Sequence, residues 1–463
     1  MAKKKKLLSW SFTVFFCFIF FKSANVFSEN RKISQFLNSF KHKVGVSVFD
    51  LSSGKELFSF KSRELLTPAS VQKLFTAYLA FKTLGVDYQF ITNFWGKWDK
   101  GKKLHLFIET SSDPSLTTED LWVIARKIAR WGPKEITSVT VVSRSANCRK
   151  APLGQRAYQS AVAFLPFNFN AFSVDICPTR LKKKAIISVD PKECGIQAKG
   201  EVITAKSDHF FVDKISKDLV KVRGRIKAER KEACASVYRS LESPELCFLK
   251  TLMSFLEDLG VKTKKNIPFR KSFQLTKEGL TLLYRHKSKP LSLIVWSMNH
   301  YSSNPIAEQL LRTVLEKRGF SCMFTKDGAE KIKKAFLREK FFYSFKDFFF
   351  FVDGSGLSRK NKVAPFLAAL LLNNVYKDFT LSSEFLASLA KPFSVGTLKE
   401  RKYIAPFIIR AKTGSLTGVS SLAGYLKTKR GKIVSFAIIQ NGLTSKKVAE
   451  KVEAKLIQYF YRS

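Results

Sequence analysis

Ser70-Val71-Gln72-Lys73 sets a hydroxyl and an amine three residues apart, which on a helix places them one turn apart on a shared face. A serine hydroxyl is a weak nucleophile until a base takes its proton, and lysine can serve as that base only when neutral. Because an unperturbed lysine titrates near ~10.4, Lys73 must be lowered, and burial together with a neighbouring Lys412 is the expected cause. Two downstream segments, Ser302-Ser303-Asn304 and Lys412-Thr413-Gly414, carry matching chemistry. A second hydroxyl, an amide and a second amine complete a serine acyl-transfer site that uses lysine instead of histidine.

Each pattern alone is weak. S-x-x-K recurs at Ser52 to Lys55 and at Ser388 to Lys391, and S-x-N also starts at Ser23, Ser28, Ser145 and Ser297. What separates the three chosen segments is their order and the elements that must hold them. Thr67-Pro68-Ala69 leads into an amphipathic helix with Leu74, Ala77, Tyr78, Phe81 and Leu84 on one face and Gly85 as its stop. Asn304-Pro305 opens a second helix over Ile306 to Leu315, after one over Leu291 to Met298. Lys412 follows a strand over Phe407 to Ala411, with further strands at Ser420 to Leu426 and Ile433 to Gln440 and a closing helix at Lys446 to Tyr461.

Upstream, Val44 to Leu51 and Glu56 to Phe60 read as a hairpin. Between Tyr88 and Tyr284 the texture changes to short β-rich runs, at Leu104 to Ile108, Ser138 to Val142, Ala185 to Val189 and Leu219 to Val222, with one helix near Thr118 to Trp131. The expected fold is α/β: an antiparallel sheet flanked by helices, formed by residues 29–87 and 285–463 and interrupted by a mainly β insertion at 88–284.

Lys3 to Lys6 followed by the apolar run Leu7 to Phe21, with Val26-Phe27-Ser28 at the cleavage positions, reads as an export signal over residues 1–28. The run is shorter than the ~20 residues that span a bilayer, which favours cleavage over anchoring. Six cysteines remain: Cys148, Cys177, Cys194, Cys234, Cys247 and Cys322. They fit an oxidising compartment, with 15 connectivities open. If all six pair, Cys322 must bridge to the middle region. Eighty-one Lys and Arg against 37 Asp and Glu give a net charge of +44. Such a field favours anionic membrane or wall polymers as peripheral neighbours. No zinc-ligand spacing or nucleic-acid motif accompanies it, so neither a metal nor a nucleic-acid partner is expected, nor is a cofactor.

The segments Leu66 to Lys73, Met298 to Asn304, Asp353 to Arg359 and Ala411 to Gly418 together resemble those of the class C low-molecular-mass penicillin-binding proteins, the D-alanyl-D-alanine carboxypeptidase/endopeptidase family. The resemblance covers most of the chain beyond its signal and implies a β-lactamase/transpeptidase-like fold in the cell envelope or periplasm. It implies that peptidoglycan peptides are substrates and β-lactams covalent inhibitors. Ser70 would be the nucleophile and Lys73 its base; Ser302 would relay a proton to the leaving amine. Asn304 would hold Lys73 and the substrate amide, and Lys412 and Thr413 the terminal carboxylate. Backbone N–H groups of Ser70 and Ser415 would form the oxyanion hole, and Gly414 would let substrate lie along the strand.

Arg359 matches a clamp for a carboxylate on a diaminopimelic-type side chain, against the alternative of an ordinary surface arginine. The family's companion acid lies five residues before a tyrosine. If Tyr158 is that tyrosine the position is Leu153, and the diamino-acid preference is not carried over. His300 reads as a packing or surface residue. Alternatives from other classes are a serine β-lactamase or esterase on the same scaffold and a catalytically idle wall-binding protein.

Overall fold

The computed structural model describes residues 30–143, 147–148, 150–230, 232–263, 269–399, 401 and 408–462. The expected export signal, and Phe407 at the expected start of the Lys412 strand, lie outside the described residues.

A five-stranded antiparallel sheet organises the catalytic half. Its order is Ile409–Leu416, Val419–Lys427, Ile433–Asn441, Lys43–Asp50 and Glu56–Phe60. The N-terminal hairpin therefore docks onto the last strand of the chain, with Val46 opposite Ile438. Alternate residues of the inner strands feed two cores. Ala423, Ala437 and Ile439 face one containing Leu74, Leu310 and Leu371, while Leu422, Phe436 and Ile438 face another with Leu37, Leu456 and Phe460. Helices 30–38 and Lys446–Arg462 cover the second face, and Tyr459 Oη donates to Asn30 Oδ1 at 2.5 Å to tie them together. Sheet residues buried on both faces and helices on each side give the mixed α/β sandwich that the sequence predicts.

The helix Gln72–Leu84 differs from expectation. Every residue from Gln72 to Phe81 is buried, so it is a central core helix and not an amphipathic one. Helices Leu291–His300, Asn304–Lys317 and Pro365–Lys377 surround it. Gly85, at φ 86°, stops it as predicted.

Residues from Phe94 to Leu283 build a separate hydrophobic core. It underlies a mixed sheet containing Ile91–Asp99, Lys103–Thr110 and Glu135–Val142, and two three-stranded sheets. The predicted helix is present at Thr118–Ala129. A second, at Pro244–Asp258, was not anticipated, although Ser243-Pro244-Glu245 carries a helix-start signature; it packs on the first through Trp122 and Phe255, 5.2 Å apart.

All six cysteines pair, as Cys148–Cys322, Cys177–Cys234 and Cys194–Cys247. The first bridges the middle region to the catalytic half across 174 residues, the partner for Cys322 that full pairing requires. Beside it, Arg312 Nη1 donates to the Cys148 carbonyl at 3.2 Å. Replacing Cys148 and Cys322 by serine is predicted to destabilise the protein by about 2–5 kcal/mol, read by chemical denaturation.

Candidate active site

Ser70 lies on a 3-10 turn, Ala69–Val71, that runs directly into Gln72–Leu84. The turn has no side-chain cap; it is fixed from outside. Asn441 accepts from the Thr67 N–H at 2.8 Å and donates to the Thr67 carbonyl at 3.0 Å, and Ser421 Oγ donates to the Pro68 carbonyl at 2.6 Å. These contacts hold Ala69 at φ 48°, a left-handed conformation that costs a non-glycine residue about 1–3 kcal/mol. Ser302, on the turn between helices Leu291–His300 and Asn304–Lys317, is likewise left-handed at φ 57°.

Two clusters meet here. In the first, Lys73 Nζ donates to Ser70 Oγ at 3.1 Å, Asn304 Oδ1 at 2.6 Å and the Ser355 carbonyl at 2.7 Å. Three acceptors match the three donors of an ammonium. Asn304 Nδ2 in turn donates to the Tyr158 carbonyl at 2.9 Å, so the middle region touches the site. In the second, Lys412 Nζ donates to Ser302 Oγ at 2.9 Å and to the Thr413 carbonyl at 2.7 Å, while the Thr413 and Thr397 hydroxyls are 2.6 Å apart.

Gly414 joins the strand to the nucleophile turn. A Cβ there would fall 2.2 Å from Ser421 Oγ, 2.7 Å from the Pro68 carbonyl oxygen and 2.9 Å from the Ser70 nitrogen. The Ser70 amide thus sits against the strand one residue before Ser415, which is exposed. Gly356, at φ 81°, is equally constrained, because a Cβ would lie 1.9 Å from the Ala69 carbonyl oxygen. Close approach is its role beyond turn formation.

Electrostatics follow from burial. Lys73 is fully buried and desolvation lowers its pKa to about 7, opposed by the negative charges of Asp353 and Glu308. Of the two expected causes, burial carries the shift and the Lys412 charge does not. Lys412 is pushed well below the usual lysine range by desolvation, then by Lys73 and Arg401. Glu308 is raised to about 6 by burial and by Asp353.

Glu308 accepts from the Ser355 N–H at 3.1 Å, and Asp353 accepts from Gly356 and Ser358 N–H groups at 2.7 Å each. The two acids shape the loop whose Ser355 carbonyl holds Lys73. Sequence reading missed Glu308, Ser355 and Thr397. Glu308 carried a signal, an acid four residues after Asn304 on a helix among Ile306, Ala307, Leu310 and Leu311. Ser355 lies in the segment Asp353 to Arg359 that the sequence singles out, but it acts through its backbone and so drew no role; Thr397 belongs to no motif.

The outer residues are less enclosed. Arg359 is exposed and donates to the Thr417 carbonyl at 2.6 Å, at the end of the Lys412 strand. Leu153 is exposed. His300 stacks on Trp296 at 4.0 Å and bonds its carbonyl, as a packing residue would. Among the described residues no group of His, Cys, Asp and Glu could hold a metal ion.

A serine at a helix start with a buried lysine beside it, facing a second lysine on a strand edge, defines a serine-type acyl-transfer hydrolase. The chain belongs to the D-Ala-D-Ala carboxypeptidase 3 (S13) family, whose model matches residues 31–462. It is 26% identical over 478 residues to the D-alanyl-D-alanine carboxypeptidase DacB of Haemophilus influenzae, covering 97% of this chain and 95% of that one. It is 24% identical over 426 residues to the D-alanyl-D-alanine carboxypeptidase of Actinomadura sp. strain R39, covering 86% and 77%. Crystal structures of penicillin binding protein 4 (dacB) from Haemophilus influenzae superpose with TM-scores of 0.74 and, for a complex with a β-lactam, 0.71. Both are 23% identical and cover 94% of this chain and 99% of theirs.

Proposed function

We propose that this protein cleaves the D-alanyl-D-alanine bond of peptidoglycan stem peptides through an acyl-enzyme on Ser70 and that penicillins trap that intermediate. The observation that carries the reading is the fully buried Lys73 amine, held by Asn304 and Ser355 with its nitrogen 3.1 Å from Ser70 Oγ. Family membership and the names of the relatives support the substrate class.

Neutral Lys73 takes the proton as Ser70 Oγ bonds to the penultimate D-Ala carbonyl carbon. The N–H groups of Ser70 and Ser415 receive the developing oxyanion. As the amide C–N bond breaks, Ser302 passes a proton from Lys412 to the departing D-Ala amine. Before deacylation the proton that Lys73 took from Ser70 passes on to Lys412, so both amines return to their starting states. Water then attacks the ester, giving one proton to Lys73, which hands it to Ser70 Oγ as the ester C–O bond breaks and the shortened peptide leaves. Lys412 and Thr413 face the terminal carboxylate. In a β-lactam the departing amine stays tethered after ring opening, which obstructs that water.

We read residues 29–87 and 285–463 as one transpeptidase-like domain with 88–284 inserted, and Arg359, beside Thr417, as a contact for the stem-peptide side chain. The three disulfides and the family support export to the cell envelope.

The direct test is incubation with defined muropeptides followed by mass spectrometry. Wild type should release D-alanine or separate cross-linked peptides, and Ser70→Ala should do neither; cleavage by Ser70→Ala would sink the mechanism.

The pKa of Lys73 fixes a second expectation. Below about pH 7 it is an ammonium that accepts no proton, so the second-order rate of penicillin acylation should rise with pH through a midpoint near 7. Glu308→Gln removes a negative charge that favours the ammonium, so its midpoint should fall below that of wild type. Stopped-flow acylation across pH reads both; an unmoved or raised midpoint contradicts the assignment.

A further inference from the structure

Far from the active-site residues in sequence, a small sheet presents a face that the proposed reaction does not use. Its strands are Gln197–Ala205, Leu219–Lys227 and His209–Lys214, in that order from edge to edge. Val202, Val212, Val220 and Val222 turn into the core beneath. Residues in register project to the same side, so the opposite face is fixed by the pairing.

One row runs Lys184, Ile203, Arg225, His209, because Lys184 bridges to the outer edge at Ile203. The next is Glu201, Arg223, Phe211, and the third Lys199, Lys221, Asp213. Ile186, two residues beyond Lys184, opens the strand Ile186–Asp190 of the neighbouring three-stranded sheet and stands exposed beside this face.

Two features stand out. Five cations face two acids, and Lys199 lies directly opposite Lys221, a like-charge pairing that costs stability unless an anion relieves it. Among these charges three large apolar side chains stand in solvent: Ile186 at 63%, Phe211 at 46% and Ile203 at 37% exposure. Arg223 lies over the Phe211 ring, 5.4 Å from its centroid, so a cation and an apolar surface are presented together.

We propose that this face docks the protein onto an anionic lipid surface. Cations at phosphate depth and apolar side chains just below it are the combination such an interface accepts. An acidic polysaccharide would satisfy the cations and could stack on Phe211, but it offers the two isoleucines nothing. Docking would hold a wall peptidase beside the membrane through a surface separate from its catalytic residues.

The test is lysine-acetylation footprinting of the full chain, read by mass spectrometry, on phosphatidylcholine vesicles with and without phosphatidylglycerol. Any anchoring by residues 7–21 is common to both. Lys184, Lys199 and Lys221 should lose reactivity at least about threefold on the anionic vesicles and regain it in high salt. Arg223→Glu/Arg225→Glu/Phe211→Ser should abolish the protection while acylating with penicillin at the wild-type rate. If that variant fails to acylate, Lys199→Gln/Lys221→Gln carries the same comparison through Lys184. Equal reactivity on the two vesicle types, or protection by heparin with none on vesicles, overturns the proposal.

Discussion

Lys73→Met should lower the second-order rate of penicillin acylation on the order of 10⁴-fold, the upper range for removal of a positioned general base. Methionine fills comparable volume but has no amine, so raising the pH will not recover the rate. The substitution leaves Asn304 Oδ1 and the Ser355 carbonyl without the donor they now share. Against that loss it removes an amine whose charged form is disfavoured by burial, so the melting temperature should stay within a few degrees of wild type. Stopped-flow measurement with a fluorescent penicillin, alongside a thermal melt, separates chemistry from folding. A rate within tenfold of wild type in a folded protein would remove Lys73 from the mechanism.

Gly414→Ala should cost about 10²–10³-fold in acylation, the scale of losing one oxyanion donor. Its backbone is not left-handed, so the effect comes from contact alone. The new methyl group meets Ser421 Oγ, which anchors Pro68, and the Ser70 nitrogen. The strand and the nucleophile turn must separate, and the Ser70 and Ser415 N–H groups move apart with them. The same measurement applies. Wild-type acylation would show that these two backbone groups do not act together.

Much of the scaffold was legible because its signals are local. Gly85 marked the end of the nucleophile helix, Pro305 the start of the next, and alternating Val44, Val46 and Val48 the first strand. The environment of each element was not. Nothing in the spacing of Leu74, Ala77 and Tyr78 reveals that Lys73 and Gln72 on the other faces are buried too, since that depends on three helices arriving from later in the chain.

The same limit applied to chemistry. Motifs carried Ser70, Lys73, Ser302, Asn304, Lys412 and Thr413, which the fold brings into two hydrogen-bonded clusters. They could not supply the Ser355 and Tyr158 carbonyls, because a backbone group leaves no residue type to recognise. Nor could they assign the cause of the Lys73 shift. Both burial and the neighbouring Lys412 were expected to lower its pKa; burial by surrounding helices dominates, and Asp353 and Glu308 oppose it.

The most direct test of the central claim, that Ser70 is the residue acylated, is intact mass after exposure to benzylpenicillin, with peptide mapping of any adduct. Wild type should gain the mass of one penicilloyl group on the peptide containing Ser70, and Ser70→Ala should gain none. An adduct elsewhere, or one that survives Ser70→Ala, would contradict the account.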